Sequence, residues 1–380
     1  MPLCKPRLVF GFLALFVIAI LQVALDWVWI TASFQLSVTD KLKIIRDSPK
    51  TPKGLLPKPT PQSPRYLLVM AYFRGGSTFT AEMFQHHHGV FYIYEPLRYI
   101  NETSTVTYLN GTTRSFNTTE TLLSESLNII HSCFACNFEE VPVEFLTNTK
   151  FLSRTKSIES YLKCIGTSTS LLKVSLCLMY LVDVCERSSL RVIKTIRMPV
   201  NLFKAVLDKT RNLQLVHLIR DPRGIQFSRI HVKRKKNVRG TLRATSSELC
   251  RYMKADLEDS DILRKLFPNR VKVVRYETVA KDPVNEARQL YEYAGITPSF
   301  EDLAHIYCEA FSEKDLREDY ETTRRNASLV AYEWYNHVRR SDVRIVDNLC
   351  RHFYQKAGYL SIDSEKHIYH GLFYDENYIP

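Results

Sequence analysis

The 380-residue sequence contains no GxxxxGK[ST] motif, and no second Cys-x-x-Cys pair accompanies Cys133 and Cys136. The first absence argues against a nucleoside triphosphatase, whose phosphate loop needs that lysine and hydroxyl. The second argues against a four-cysteine zinc site, so a structural disulfide or a free thiol is the better interpretation of the pair. A hydrophobic content of 45% and a charged content of 24% exclude wholesale disorder.

The formal net charge of +12 predicts an anionic partner such as nucleic acid, a membrane surface, a nucleotide or an acidic polysaccharide. The N-terminus narrows that choice. Residues 1–7 form a short basic tail, and residues 8–25 form an apolar run that is long enough to span a hydrocarbon core of about 30 Å. The basic flank predicts a cytoplasmic N-terminus and a lumenal body. A cleaved signal peptide is the alternative, but the run is long for one and no clear cleavage site follows.

Residues 26–64 are rich in proline and lysine and predict an extended stem, which leaves residues 65–380 as a lumenal domain. Four Asn-x-Ser/Thr sequons in that domain predict glycosylation at Asn101, Asn110, Asn117 and Asn326. Of the nine cysteines, all except Cys4 lie beyond the predicted anchor. An even number there permits disulfides in an oxidising compartment without fixing their pairing. Nucleic acid is disfavoured as a partner by the anchor and the sequons.

Short apolar runs typical of strands occur at residues 66–72, 90–94, 192–196, 213–219 and 271–274. Helix-like stretches lie between several of them, at residues 201–209, 225–236 and 247–266. This alternation predicts an α/β fold with a parallel sheet and helices on both faces. Ligands of such sheets bind at the carboxyl ends of the strands, so functional residues are expected directly after these runs.

The first run is followed by a polar loop of seven residues: Arg74, Gly75, Gly76, Ser77, Thr78, Phe79 and Thr80. Glycines let the backbone approach an oxyanion closely, and backbone N–H groups and hydroxyls then bind it. The arginine supplies a fixed positive fork in place of the absent lysine. A tight strand-to-helix turn with a capping hydroxyl is an equally good interpretation of these residues alone.

Two further strand ends carry polar residues. Glu95 follows the second run and is a candidate general base, with an ion pair to Arg98 as the alternative. Arg220 directly follows the fourth run, and Ser228 comes about two helical turns later, so the two are candidates for holding one phosphate. The alternative there is a surface salt bridge within the Asp221-Pro222-Arg223 segment beside a solvated Ser228.

The segments RGGSTF and RDPRGIQFSR resemble the 5′- and 3′-phosphosulfate-binding motifs of Golgi carbohydrate sulfotransferases. The galactose/GlcNAc/GalNAc 6-O-sulfotransferase family is the closest match, and FYIYEPL, VIKTIRM, VKVVRYETVAKDP and NLCRHFYQKAGY also resemble its segments. The likeness covers roughly residues 66–360. Gly75 and Thr78 depart mildly from the family pattern, and the EWY segment at residues 333–335 replaces a usual Trp-Arg.

The resemblance implies a P-loop-like sulfotransferase fold and the donor 3′-phosphoadenosine 5′-phosphosulfate, with no metal required. The loop from Arg74 to Thr80 is expected to hold the 5′-phosphosulfate, and Arg74 is expected to neutralise the leaving phosphate. Four residues of the second motif are expected to bind the donor, with the first and last on its 3′-phosphate: Arg220, Asp221, Arg223 and Ser228. Glu95 is the expected base toward a sugar hydroxyl, most naturally a 6-hydroxyl.

The resemblance also implies a single-pass type II protein of the Golgi membrane that acts on a glycan or glycosaminoglycan. A basic run consisting of Lys233, Arg234, Lys235, Lys236, Arg239 and Arg243 is a candidate for steering an anionic acceptor, and a solvated charged loop is the alternative. The three histidines at residues 86–88 are interpreted as a solvated helix end, because adjacent residues do not share a helix face.

Two other functions compete. A Golgi glycosyltransferase often uses an Asp-x-Asp metal motif, and Asp259-Ser260-Asp261 fits that pattern, although it lies in a helix-like segment. A non-catalytic glycan-binding protein on the same fold is the second alternative, which the intact arginines of both motifs disfavour.

Overall fold

The computed structural model describes residues 63–236, 241–312, 322–323, 326–365, 367 and 373–375. The predicted tail and anchor (residues 1–7 and 8–25) and all but the last two residues of the predicted stem lie outside the described residues. Among those that are described, no helix is both long and apolar enough to cross a membrane.

Seven strands occur in the described part of the chain: β1 (Arg65–Met70), β2 (Val90–Tyr94), β3 (Thr105–Thr107), β4 (Thr113–Ser115), β5 (Leu190–Thr195), β6 (Leu213–Ile219) and β7 (Val271–Arg275). Five of them form a parallel sheet in the order β2-β5-β1-β6-β7, and β3 and β4 form an antiparallel hairpin. The strands of the parallel sheet are almost entirely buried, which explains their continuous apolar runs. The five predicted strands are confirmed to within two residues.

The helices are α1 (Ser77–Glu82), α2 (Thr119–Phe134), α3 (Val143–Leu146), α4 (Thr149–Leu152), α5 (Glu159–Ile165), α6 (Leu171–Arg187), α7 (Phe203–Lys209), α8 (Pro222–Lys236), α9 (Leu242–Leu266), α10 (Tyr276–Lys281), α11 (Pro283–Tyr293), α12 (Phe300–Ala310), α13 (Ala327–Tyr332), α14 (Trp334–His337) and α15 (Arg340–Ala357). Short 3-10 turns lie at Met83–His86, Phe138–Glu140, Lys156–Ile158 and Val200–Leu202. The predicted helix 247–266 starts earlier, at Leu242, because the Thr241 side chain accepts a hydrogen bond from the Ala244 N–H and caps it.

Apolar side chains pack on both faces of the sheet. Alternate residues of β1 point to opposite sides: Leu68 and Met70 join one buried cluster, and Leu67 and Val69 join the other. Within the first cluster α2, α6 and α9 contribute, and within the second α10, α11 and α12 do so. The predicted α/β architecture with helices on both faces is therefore confirmed.

Three disulfides occur among the described residues: Cys136–Cys185, Cys164–Cys177 and Cys250–Cys350. Of the Cys-x-x-Cys pair, Cys133 is a buried thiol in no disulfide, whereas Cys136 is disulfide-bonded. The third disulfide joins α9 to α15, which are also the two helices with the most extensive mutual packing.

Replacing both Cys250 and Cys350 with alanine is expected to lower the free energy of unfolding by about 2–4 kcal/mol, because the bond closes a long loop in the unfolded chain. Chemical denaturation of the oxidised protein measures this. Cys133→Ala is the control: it removes a buried sulfur that is in no disulfide and should cost about 1 kcal/mol. Equal losses in the two proteins would contradict the expected role of the disulfide.

Candidate functional site

The predicted phosphate loop follows β1 and is built on a turn at Tyr72. The Gly75 N–H donates to the Tyr72 carbonyl oxygen at 2.7 Å, and helix α1 starts two residues later at Ser77. Arg74 and Gly76 both adopt a positive φ, 68° and 84°. The loop is therefore a sharp strand-to-helix connection. The capping hydroxyl considered from the sequence is not formed, because the N-cap residue of α1 is Gly76 and no side chain caps the helix.

Steric contacts require glycine at both glycine positions of this loop. A Cβ on Gly75 would lie 2.8 Å from the Tyr72 carbonyl oxygen, and a Cβ on Gly76 would lie 2.1 Å from the Tyr276 ring. Phe79 packs edge-on against the same ring, with a centroid distance of 6.5 Å. Ser77 and Thr80 are buried and Thr78 is half-buried. The loop thus lies directly against the residue that follows β7.

The second predicted motif lies against the first, although the two are about 150 residues apart in the sequence. Arg220 Nη1 donates to the Arg74 carbonyl oxygen at 3.0 Å, and Arg74 Nε donates to Ser228 Oγ at 2.9 Å. Arg229 Nε also donates to the Phe73 carbonyl oxygen at 3.0 Å. The structure therefore brings Arg74, Arg220 and Ser228 together, as a two-part phosphate site requires.

The Arg220 guanidinium is positioned by an aromatic ring. Its central carbon lies 4.5 Å from the centre of the Tyr276 ring, and only 8% of the residue is exposed. Its Nε is buried and has no hydrogen-bond partner. Glu277 accepts hydrogen bonds from the Asp221 N–H and the Tyr359 hydroxyl. Burial, and then the nearby Asp221 charge, raise the pKa of the Glu277 carboxyl. An orphaned N–H on a fixed guanidinium is what an anion-binding site presents before its ligand arrives.

Asp221 and Arg223 form an ion pair that is buried. The alternative considered from the sequence, a salt bridge at the surface, is therefore wrong, because the pair lies in the interior. Arg223 donates to Asp221 at 2.7 Å and to Asp347 at 3.2 Å, with 1% of its side chain exposed. Its guanidinium carbon lies 4.6 Å from the centre of the Trp334 ring. These contacts fix the start of α8 against α14 and α15. The donor contacts predicted for Asp221 and Arg223 stay predictions.

Glu95 follows β2 and lies in a buried cluster of charges. Lys194 on β5 binds its Oε1, and Arg197 Nε lies 3.3 Å from its Oε2. Glu95 is 2% exposed, and its Oε2 has no hydrogen-bond partner. The alternative ion pair with Arg98 is not formed, since the Arg98 guanidinium stacks 3.6 Å above the Phe151 ring instead. Sequence reasoning missed Lys194 and Arg197, and a lysine inside the apolar run VIKTI was the available signal.

Backbone strain also marks the two strand ends. Only four described non-glycine residues have a positive φ, and two of them are Arg74 and Glu95. A left-handed conformation costs an L-residue on the order of 1–2 kcal/mol, and such residues concentrate at functional sites. The observation supports a site that spans the ends of β1, β5 and β2.

A second buried polar cluster lies beneath the loop. The Tyr72 hydroxyl donates to Asp256 Oδ2 at 2.9 Å and lies 2.9 Å from His217 Nε2, whose Nδ1 lies 2.8 Å from Ser260 Oγ. Burial lowers the pKa of His217 to about 3 and raises that of Asp256 to about 6. Asp256 also accepts the Val200 N–H at 2.8 Å. These hydrogen bonds therefore fix the side chain of Tyr72, whose carbonyl oxygen closes the turn of the loop.

The hydrogens of this cluster allow two arrangements. With Asp256 ionised, Tyr72 donates to it, His217 donates from Nε2 to Tyr72, and Ser260 donates to Nδ1. With Asp256 protonated, its carboxyl donates to the Tyr72 hydroxyl, which donates to His217 Nε2, and His217 donates from Nδ1 to Ser260 Oγ. The Ser260 hydroxyl then donates to the backbone carbonyl oxygen of Asp256, 2.9 Å away. Each polar side chain is satisfied in both arrangements, so Asp256 can change protonation without leaving a buried group unpaired.

The remaining predicted residues lie elsewhere. His86 is not solvated as expected, because 5% of its side chain is exposed and its Nε2 lies 3.4 Å from Glu309. Asp259 and Asp261 lie within α9, as predicted, and Asp261 pairs with Arg264 and Lys356. No group of three or more His, Cys, Asp or Glu side chains able to hold a metal occurs in the part of the chain that the structure describes.

Three of the four sequon asparagines are exposed: Asn101, Asn110 and Asn117. Asn326 is half-buried, and its side chain accepts the Leu329 N–H at 3.2 Å to cap α13. In the basic run, Arg243 is exposed on α9, whereas the side chains of the other five residues lie outside the described part.

The chain is similar to known sulfotransferases over most of its length. The sulfotransferase domain family matches residues 64–359. Carbohydrate sulfotransferase 1 of Mus musculus is 26% identical over 336 residues, which cover 80% of this chain and 81% of that protein. Carbohydrate sulfotransferase 6 of Homo sapiens is 26% identical over 356 residues, covering 82% and 86% of the two chains.

Solved structures with a similar chain path include mouse sulfotransferase SULT7A1 complexed with PAP, with a TM-score of 0.40 and 13% identity. That similarity covers 77% of this chain and 84% of the other. Retinol dehydratase in complex with androsterone and inactive cofactor PAP gives a TM-score of 0.38 at 17% identity, covering 79% and 81%.

Gly76→Ala is expected to lower the free energy of unfolding by about 2–5 kcal/mol, because it adds steric overlap with Tyr276 to the cost of a positive φ. Gly111→Ala is the matched control. Gly111 has a similar φ of 80° but no atom within 4 Å of the added methyl group, so it should lose only about 1–2 kcal/mol. Urea denaturation measures both, and equal losses would contradict the packing of the loop against Tyr276.

Asp256→Asn is expected to change how stability depends on pH. Because the pKa of Asp256 is raised to about 6 by folding, its contribution to stability is full below pH ~4 and is lost as the pH rises through 6. His217 acts in the opposite direction: its contribution is present above pH ~6.5 and is lost as the pH falls toward 3. The variant lacks the first effect, so its stability relative to wild type should improve by roughly 2–3 kcal/mol between pH 4 and pH 7.

Equilibrium unfolding of both proteins at the two pH values measures this difference. Asparagine keeps an oxygen for the Val200 N–H, so other changes should be small. A difference between variant and wild type that does not depend on pH would contradict the assignment.

Proposed function

The chain belongs to the sulfotransferase domain family, and from that premise we propose that it transfers a sulfuryl group from 3′-phosphoadenosine 5′-phosphosulfate to a sugar hydroxyl. The names of the carbohydrate sulfotransferases it resembles support a glycan acceptor. The finer proposal is the 6-hydroxyl of a galactose, N-acetylgalactosamine or N-acetylglucosamine residue, with the reaction taking place in the Golgi lumen at the end of a membrane-anchored stem.

One observation carries the proposal: Arg220 Nη1 bonds to the Arg74 carbonyl oxygen, and Arg74 Nε bonds to Ser228. A donor with phosphate groups at both its 5′ and 3′ positions needs two anion sites a fixed distance apart. The loop after β1 supplies one, and the start of α8 with Ser228 supplies the other. The unpartnered buried Nε of Arg220 fits an anionic ligand at the second site.

Sulfuryl transfer is an in-line displacement that spreads charge over oxygens, so the donor supplies the reactive group and the protein supplies position and charge. Arg74 and the loop N–H groups stabilise the charge that develops on the leaving phosphate. Lys194 and Arg197 lie at the end of β5, the strand hydrogen-bonded to β1, where they add positive charge on the acceptor side.

The separation of the loop from Glu95 suits a base. Strand β5 lies between β1 and β2, so the two strand ends are two strand spacings, or about 10 Å, apart. About 3 Å separates the phosphorus of the bound donor from the sulfur, about 3 Å separates the sulfur from the acceptor oxygen, and about 3 Å separates that oxygen from the base. Together these three distances span ~9 Å. Glu95 Oε2, buried without a hydrogen-bond partner, is the oxygen that receives the hydroxyl proton.

Labelled sulfate transfer to a panel of glycans tests the function, and the panel holds desulfated chondroitin, desulfated keratan and GlcNAc-terminated acceptors. Arg74→Ala and Arg220→Ala are each expected to weaken donor binding by about 10- to 100-fold, since each removes charged hydrogen bonds to phosphate. Arg288→Ala, which removes an exposed arginine of α11, is the control and should leave binding unchanged. The proposal would be overturned if the protein bound no donor and transferred sulfate to none of the acceptors.

Glu95→Gln is expected to lower kcat by about 10²- to 10⁴-fold with little change in the KM for the donor. Removing one partner of a buried ion pair also costs about 3–5 kcal/mol, so unfolding is measured in parallel. Glu95→Asp keeps the charge while withdrawing it by one methylene, and it should fall between wild type and Glu95→Gln in kcat. Unchanged turnover in a folded Glu95→Gln protein would eliminate the base role.

A further inference from the structure

A tryptophan beside the second motif carries a buried N–H group that has no partner. Trp334 is 1% exposed, and among the described residues no group accepts a hydrogen bond from its indole Nε1. Tryptophan N–H groups usually find a partner when they are buried, because an unsatisfied donor keeps the full cost of its desolvation. The indole therefore implies an acceptor that the described part of the chain does not supply.

Packing fixes the orientation of the indole ring. The Arg223 guanidinium lies against it, with its central carbon 4.6 Å from the ring centre, and the Phe373 ring packs against it at a centroid distance of 5.3 Å. A Cβ on Gly224 would lie 3.1 Å from the Cδ1 atom of Trp334, which is the atom bonded to Nε1. The ring edge formed by Cδ1 and Nε1 therefore borders the first turn of α8.

Arg220 borders the same point of α8. The same Cβ on Gly224 would lie 3.2 Å from Arg220 Nε and 3.4 Å from its Nη2. Because Nη1 bonds to the Arg74 carbonyl oxygen, the edge that faces Gly224 is the one whose two parallel N–H groups suit a phosphate. Within the described ranges, Arg220 Nε is buried without a partner, as the indole Nε1 is. Two unsatisfied donors thus flank one glycine.

Gly224 also lies between the two residues that are proposed to hold the 3′-phosphate. Ser228 comes four residues after Gly224 on α8, and residues at this spacing share a helix face. A phosphate that contacts both Arg220 and Ser228 therefore lies over Gly224, which has no side chain to exclude it. The Trp334 edge borders that position, so a phosphate oxygen there is within reach of the indole N–H.

We propose that Trp334 donates its indole N–H to the 3′-phosphate and thereby helps to select a 3′-phosphorylated nucleotide over one that lacks this group. The inference rests on the proposed function, since that function supplies the phosphate. A nucleotide with a free 3′-hydroxyl lacks the oxygens that satisfy the two buried donors, and donors left unpaired are what make such a site selective. A buried water that bridges the two donors is the competing interpretation, and it gives no dependence on the 3′-phosphate.

The first test is equilibrium binding of adenosine 3′,5′-bisphosphate to the full-length protein, with adenosine 5′-monophosphate measured by competition. Trp334→Phe removes the N–H and keeps an aromatic ring beside Arg223, and it should weaken binding of the bisphosphate about 10-fold. Binding of the monophosphate should be unchanged. The ratio of the two affinities in one preparation cancels any unfolded fraction. Tyr307→Phe, which removes an exposed hydroxyl of α12, is the matched control and should leave both affinities unchanged.

The second test leaves Trp334 in place. The chain has three tryptophans, so Trp27→Phe combined with Trp29→Phe makes Trp334 the only source of an indole N–H resonance. In protein with isotope-labelled tryptophan, that resonance should move downfield when the bisphosphate binds, because a hydrogen bond to a charged oxygen deshields the proton. The monophosphate should move it much less.

The results separate this inference from the proposed function. A selective loss of bisphosphate binding in Trp334→Phe, with the downfield shift in the protein that keeps Trp334, supports the inference. Unchanged bisphosphate binding in Trp334→Phe overturns it, and so does an equal loss for both nucleotides, since that pattern indicates that the ring only packs against Arg223. An indole resonance that responds equally to both nucleotides also overturns it. All three results leave the proposed function intact, whereas a wild-type protein that binds neither nucleotide and transfers no sulfate defeats the proposed function itself.

Discussion

The contact on which the site depends is the hydrogen bond from Arg220 to the carbonyl oxygen of Arg74. It joins the loop after β1 to the loop after β6, and these two strands are neighbours in the sheet. The left-handed backbone at Arg74 directs that carbonyl toward Arg220, while the Arg74 side chain reaches Ser228. The backbone and side chain of Arg74 thus contact both members of the second motif, and the Tyr276 ring lies against Gly76 and Arg220 alike.

The rest of the domain keeps these two loops in place. Beneath the first loop, the Tyr72 side chain is held by Asp256 and His217. Beside the second, Arg223 is held by Asp221 and Asp347, and a disulfide ties α15 to α9. Buried ion pairs add little net stability, but breaking one leaves an uncompensated charge. We therefore interpret the Arg223 network as fixing geometry at the start of α8 rather than as adding stability.

The sheet and the meeting of the two motifs were predictable because β-strands buried on both faces have continuous apolar sequences and parallel strands end at one edge. The partners of Glu95 were not. In the sequence, Lys194 only interrupts an apolar strand. Its contact with the Glu95 carboxylate becomes visible only from the pairing of β2 with β5. The disulfide pairing and the burial of Arg223 and His86 likewise depend on contacts across the fold, which residue type and spacing do not encode.

The most direct test is a crystal structure of the sulfotransferase domain, residues 64–359, with adenosine 3′,5′-bisphosphate, the product left by the donor. We expect the 5′-phosphate to lie against Arg74 and the N–H groups of Gly75 to Thr78. We expect the 3′-phosphate to lie within hydrogen-bond distance of the Arg220 guanidinium and Ser228 Oγ. A nucleotide bound with either phosphate away from these groups would contradict this expectation.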